Sequence, residues 1–241
     1  MGRVIPPGST TRGYNLALRD GRGFQLRLAI QSVLRHRAGF PQQPQRDPSD
    51  ARRHHRRQQQ AAYPDHVFMR LRMGLVLEEL DAELRQRPQV KAIYVPMGDS
   101  ALIRGIAATV KQMSPQVRVI GVQAERAPSY YLSWKSGKVV TTDSCDTIAD
   151  GLATRTPIQA NVESIRELID HIVLVTEPEL LRSVETLLLE EHVLAEPAGA
   201  ASSAALLRSE DRGPDLEDVV LVVSGANISR DVLRKALEID P

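Results

Sequence analysis

Four short apolar runs alternate with stretches of helical spacing, and this alternation restricts the chain to a narrow set of folds. The sharpest instance is Lys91 to Gly105, KAIYVPMGDSALIRG. Ile93, Tyr94, Val95 and Pro96 read as a strand, which ends in a turn at Gly98-Asp99-Ser100, and a helical pattern follows. A strand that empties into small residues at a helix start suits an anion. Unpaired backbone N–H groups and the positive end of the helix dipole meet there.

The rest of the second part follows the same rhythm. Met73 to Arg87 reads as an amphipathic helix through Met73, Val76, Leu77, Leu80 and Leu84. Strands are expected at Lys91–Met97, Val117–Val122, Ile172–Thr176 and Val219–Val223, and helices at Ala101–Met113 and Asn161–Asp170. Thr176-Glu177-Pro178-Glu179 starts a further helix with an N-cap and early acids, running to His192. Glu196-Pro197-Ala198-Gly199 opens another of small residues, and the last spans about Ser229 to Glu238. Gln123 to Asn161 reads as irregular. The pattern predicts an α/β fold, an open, mostly parallel sheet with helices on both faces. Ligands are expected at the carboxyl ends of the strands, where Gly98 and Gly225 both lie.

Charge divides the chain. Met1 to Gln60 holds twelve Arg, no Lys and three acids, a balance of +9, whereas Ala61 to Pro241 carries −8. Residues 1–65 are a poor source of core. Arg52-Arg53-His54-His55-Arg56-Arg57 and the Pro/Gln cluster at 41–48 cannot offset chain entropy. A basic RNA-binding arm, a solvated tail and a non-native reading frame are the three readings of this segment. Scattered Arg without interleaved aromatics argues against a nucleic-acid partner. Phe24 to Leu34 could form one short helix or strand. Residues 66–241 are set apart as the α/β domain. The single cysteine, Cys145, fits a reducing, cytoplasmic compartment, and no apolar run approaches a membrane span.

VPMGDSALIRGIAA, VRVIGVQAERAPSYYLSWKSGKVV, DTIADGLA, EEHVLAEPAGAA and LVVSGANIS, in that order, resemble the second half of pyridoxal-phosphate enzymes of the tryptophan-synthase-β fold type. They are most like the threonine/serine dehydratases (ammonia-lyases). The resemblance covers roughly Met73 to Glu238 and implies pyridoxal 5'-phosphate as cofactor. It also implies a small hydroxy-amino acid as substrate, converted to a 2-oxo acid and ammonia. It assigns the cofactor phosphate to Gly98, Asp99, Ser100, Ala101 and Leu102, and the pyridine nitrogen to Ser224 in the SGAN motif that ends at Asn227. Glu196 matches a carboxylate near the cofactor, and Asp150-Gly151 a loop lining the site. From the residues alone, Ser224-Gly225 reads as a strand-to-helix turn, Glu196 as a helix N-terminal acid and Asp150-Gly151 as a simple turn.

The sequence departs from that family in three places. Of the usual run of glycines only Gly98 is kept, and a carboxylate at Asp99 repels a phosphate unless it points away. The Schiff-base lysine, expected in the first half, is missing: the five lysines are Lys91, Lys111, Lys135, Lys138 and Lys235. Ser133-Trp134-Lys135 imitates the lysine motif but matches a surface segment. Gln123 and Ser129 stand where some members place cation-binding acids, and no metal site is expected. Two functions follow: an ammonia-lyase, truncated and lacking its lysine, or a non-catalytic fragment or interaction protein of the same fold. A nucleotide-binding α/β fold is disfavoured, since no GxGxxG follows the first strand. A sheet lacking neighbouring strands is expected to associate, as in a homo-oligomer.

Overall fold

The computed structural model describes residues 27–30 (backbone only), 80–82, 84–208 and 218–239. Strands are β1 (Arg27–Ile30), β2 (Ala92–Pro96), β3 (Arg118–Ala124), β4 (His171–Val175) and β5 (Val219–Val223). Helices are α1 (Ala101–Met113), α2 (Ser129–Ser136), α3 (Gln159–Leu168), α4 (Glu177–Leu189), α5 (Pro197–Leu207) and α6 (Arg230–Leu237), with a 3₁₀ turn at Asp150–Leu152. The sheet order is β1-β5-β2-β3-β4 and every pairing is parallel. β1 falls within Phe24–Leu34, where the sequence pattern leaves helix and strand open. It pairs along β5 from Arg27↔Val220 to Ile30↔Val223. The remainder of 1–65 lies outside the described residues, as do Met73, Val76 and Leu77 of the first expected helix. Leu80 and Leu84 of that helix are helical and buried.

Alternation along the strands divides the core between two faces. Tyr94, Ile120, Val122, Leu221 and Val223 join Leu180, Val184 and the alanines of α5 on one side. Ile93, Val95, Val119, Val220 and Val222 join Ile103, Ile106, Val110, Val162 and Ile165 of α1 and α3 on the other. β2 and β5 are buried along their full lengths, as expected of central parallel strands covered on both faces. The small residues of α5 allow close approach to both the sheet and α4. Ser202 Oγ donates to the Tyr94 carbonyl at 3.0 Å, and Ser183 Oγ to that of Ala200 at 3.2 Å. These bonds satisfy hydroxyls that would otherwise be costly to bury.

The stretch Gln123–Asn161 is less irregular than the sequence pattern suggests, because α2 lies within it. α2 buries Ser129, Tyr130 and Ser133 rather than an apolar stripe. Ser129 Oγ donates to the Thr154 carbonyl at 2.6 Å, and Ser133 Oγ accepts from Val140 N at 2.8 Å. Hydroxyl–backbone bonds therefore hold a helix that hydrophobic periodicity does not reveal.

Candidate functional site

Because β2 and β5 are parallel neighbours, in register from Ala92↔Val219 to Tyr94↔Leu221, their carboxyl ends leave the same edge of the sheet. Gly98 follows one strand and Ser224 the other. A chain of close contacts links the two ends. A Cβ on Gly98 would lie 2.1 Å from the Gly151 carbonyl oxygen, so only glycine lets the two backbones approach. Gly151 in turn packs against Ala198, whose Cβ is 2.9 Å from where a Gly151 Cβ would stand. Glu196 N donates to the Gly225 carbonyl at 3.0 Å, and Glu196 Oε2 accepts from Asn227 N at 2.9 Å.

A cleft opens beside this contact chain, lined among others by Ile148, Asp150, Gly151, Glu196, Asn227 and Ser229. Gly151, Glu196 and Asn227 thus share one wall. Gly98 packs against Gly151 of that wall, whereas Asp99, Ser100, Ala101, Leu102 and Ser224 are not on the cleft lining. The loop carrying Ile148 is fixed from a distance. Glu177 Oε1 accepts from Thr147 Oγ1 at 2.6 Å and Oε2 from Ile148 N at 2.8 Å. The sequence marks Glu177 only as an early acid of α4. The capping role falls to Thr176 and Glu179, which exchange side-chain bonds with each other's backbone N–H.

The turn into α1 is held by its own side chains and by α3. Asp99 Oδ1 accepts from Ala101 N at 2.9 Å. Ser100, the N-cap, has φ 73°, a left-handed conformation that glycine adopts far more readily. Its side chain is buried, and its Oγ accepts from Arg104 Nε at 3.2 Å. Asn161 Nδ2 donates to the Asp99 carbonyl at 3.3 Å and to Tyr130 Oη at 3.1 Å, tying the turn to α3 and α2. In the sequence Asn161 reads only as a helix start. Its pairing spans 62 residues and leaves no local signal.

The two positions matched to cation-binding acids hold neutral, fully buried side chains. Gln123 Oε1 accepts from Tyr131 N at 2.9 Å, and Ser129 is committed to Thr154. All five lysines are among the described residues, and none lines the cleft. Lys111 pairs with Asp170 at 2.8 Å at the opposite edge of the sheet. Lys135 is exposed on α2, with its ammonium 5.8 Å from the Tyr131 ring centroid. Lys91, Lys138 and Lys235 are exposed elsewhere.

An open parallel sheet with glycine-lined turns at the ends of two adjacent strands defines a doubly wound α/β protein with its site at one sheet edge. The chain belongs to the pyridoxal-phosphate dependent enzyme family, whose model matches residues 32–225. L-threonine ammonia-lyase of Geobacter sulfurreducens is 41% identical over 146 residues, covering 60% of this chain and 36% of that relative. The Thermotoga maritima L-threonine ammonia-lyase is 35% identical over 151 residues, covering 62% and 37% respectively. Among solved structures, a threonine deaminase from T.th. superposes with a TM-score of 0.60 at 30% identity, over 65% of this chain and 57% of that one. The chain spans well under half the length of these two curated relatives.

Whether the residues present fit the family's coenzyme is decided at α1 and in the cleft. Pyridoxal phosphate brings a dianionic phosphate and an aldehyde that requires an amine. The N–H of Ala101, in the turn matched to the phosphate, already has a carboxylate as its acceptor. No lysine amine lines the cleft among the described residues. The residues as placed do not fit the group.

Proposed function

We propose that the chain carries the coenzyme-facing wall of an L-threonine/L-serine ammonia-lyase-type site, and that it does not by itself release ammonia from a hydroxy-amino acid. The observation that carries this reading is the juxtaposition of the Gly98 turn, the Asp150–Leu152 turn, Glu196 and the 224–227 segment around one sheet edge, without a lysine on the cleft. The names of its relatives supply the substrate class, a small amino acid bearing a β-hydroxyl.

The reaction of that class removes an α-proton and expels a β-hydroxyl. It needs a base with a free lone pair near the α-carbon and a covalent anchor for the amino group. The cleft offers carboxylates instead. Glu196 is engaged with the Asn227 N–H, and Asp150 is exposed at the rim. Its residues can orient an amino acid by hydrogen bonding but lack the amine that would anchor it.

Purified chain is mixed with pyridoxal phosphate and L-threonine or L-serine, and 2-oxo acid is measured with a hydrazine reagent. In parallel, the sample is treated with borohydride and gel-filtered, and retained coenzyme is read by absorbance and peptide mapping. The expected result is no 2-oxo acid and no coenzyme fixed to a lysine. Turnover accompanied by coenzyme fixed to any one of the five lysines overturns the proposal.

A further inference from the structure

We infer that Asp99 is an internal anion that closes the start of α1 against phosphate, occupying with its own carboxylate the donor that an incoming phosphate group would use. This deepens the reading above and rests on it for the identity of the excluded ligand. Asp99 Oδ1 lies 2.9 Å from Ala101 N, while the bond from Arg104 N to the Ser100 carbonyl is already intrahelical. The carboxylate therefore meets the positive end of a 13-residue helix, where a charged acceptor is most favoured.

Three features hold it there. Ser100 at φ 73° turns the backbone so that the residue before it faces the helix start. Asn161 grips the Asp99 carbonyl. Gly98 seats the turn closely against the Gly151 backbone, where a side chain would not fit. Among the described residues no ion pair forms with Asp99, and Arg104, the cation closest in sequence, bonds Ser100 Oγ through its Nε. A phosphate reaching this turn would meet a like charge and find one donor taken. To bind it would have to displace an acceptor tethered two residues away, which is always at high local concentration.

The test uses the full chain with Asp99→Gly and Asp99→Asn, each checked for folding by circular dichroism and thermal melting. Binding of inorganic phosphate is followed by phosphorus NMR line broadening, and binding of pyridoxal with and without its phosphate by equilibrium dialysis. The wild type is expected to bind inorganic phosphate at least tenfold more weakly than Asp99→Gly and to hold both forms of pyridoxal equally. Asp99→Asn, which keeps the Oδ1 acceptor but loses the charge, is expected to gain about threefold. A wild type that prefers the phosphorylated form tenfold, or folded variants that gain no affinity for inorganic phosphate, overturns the inference. A phosphate gain in variants that bind neither form of pyridoxal leaves the internal anion standing and sinks the coenzyme-wall reading instead.

Discussion

The turn after β2 and the segment after β5 leave neighbouring strands at one edge of the sheet, and each gives a backbone N–H to a carboxylate. At Ala101 the acid is two residues away, in the turn itself. At Asn227 it is Glu196, 31 residues distant and at the head of another helix. The first arrangement forms wherever the turn forms, so it closes the start of α1 locally. The second exists only when α5 docks on β5, so it reports tertiary assembly. Their glycines differ in the same sense. Gly98 faces a backbone carbonyl, which cannot rotate away, whereas a Cβ on Gly225 would meet Glu196 Oε1 at 2.3 Å, the far end of a flexible side chain.

Gly98→Ala should therefore be far more damaging than Gly225→Ala. Relief at 2.1 Å requires moving the backbone of the 150–152 turn, a form of overpacking expected to cost about 3 kcal/mol or more. Urea denaturation provides the check. A loss under about 1 kcal/mol would mean that the turn at 150–152 yields, and that the two regions are equally pliable.

Glu196→Ala comes next. It removes the acceptor of the Asn227 N–H, and because Asn227 is exposed, water can replace it, limiting the loss to about 1 kcal/mol. Gly225→Ala should cost about the same, because its added methyl group displaces the same carboxylate. The double variant sharpens the contrast. Once Glu196 is truncated, the Gly225 methyl group meets no carboxylate, so the two losses should fall short of additivity by most of the Glu196 effect. Additive losses would place the strain at Gly225 elsewhere.

The same contrast explains what is legible in the sequence. Features made by neighbours in the chain can be read directly: β5 at Val219–Val223, α1 at Ala101–Met113 and the N-cap at Thr176 all lie where composition and spacing put them. Asp99 stands out in the sequence as a difficulty for phosphate, but a carboxylate two residues before its own donor needs backbone angles to reveal it. The left-handed residue is Ser100, not a glycine, so the turn lacks its usual marker. Contacts between distant residues are not readable. Glu177 reaches back across 29 residues to Ile148, and Asn161 reaches the Asp99 carbonyl across 62. α2 is hidden because serine hydroxyls, rather than an apolar stripe, attach it to the body of the protein.

The smallest expected effect concerns a third carboxylate, in the segment that delivers Glu196 to its place. Glu191 is 8% exposed, and burial is the main cause raising its carboxyl above the ordinary glutamate range. Neighbouring Glu190 adds to the rise, and His192 opposes it. A carboxyl that holds its proton more tightly when folded favours the folded state fully at pH below the ordinary glutamate value. That contribution is lost as pH climbs through the raised value. Glu191→Gln, which cannot ionise, should be slightly more stable than the wild type at neutral pH, and the two should converge as pH falls below the ordinary glutamate value. Parallel melts across that range decide the matter. A gain that persists undiminished in acid would show that Glu191 is disfavoured by its packing rather than by its charge, and would leave Glu196 as the acid whose charge matters most in this segment.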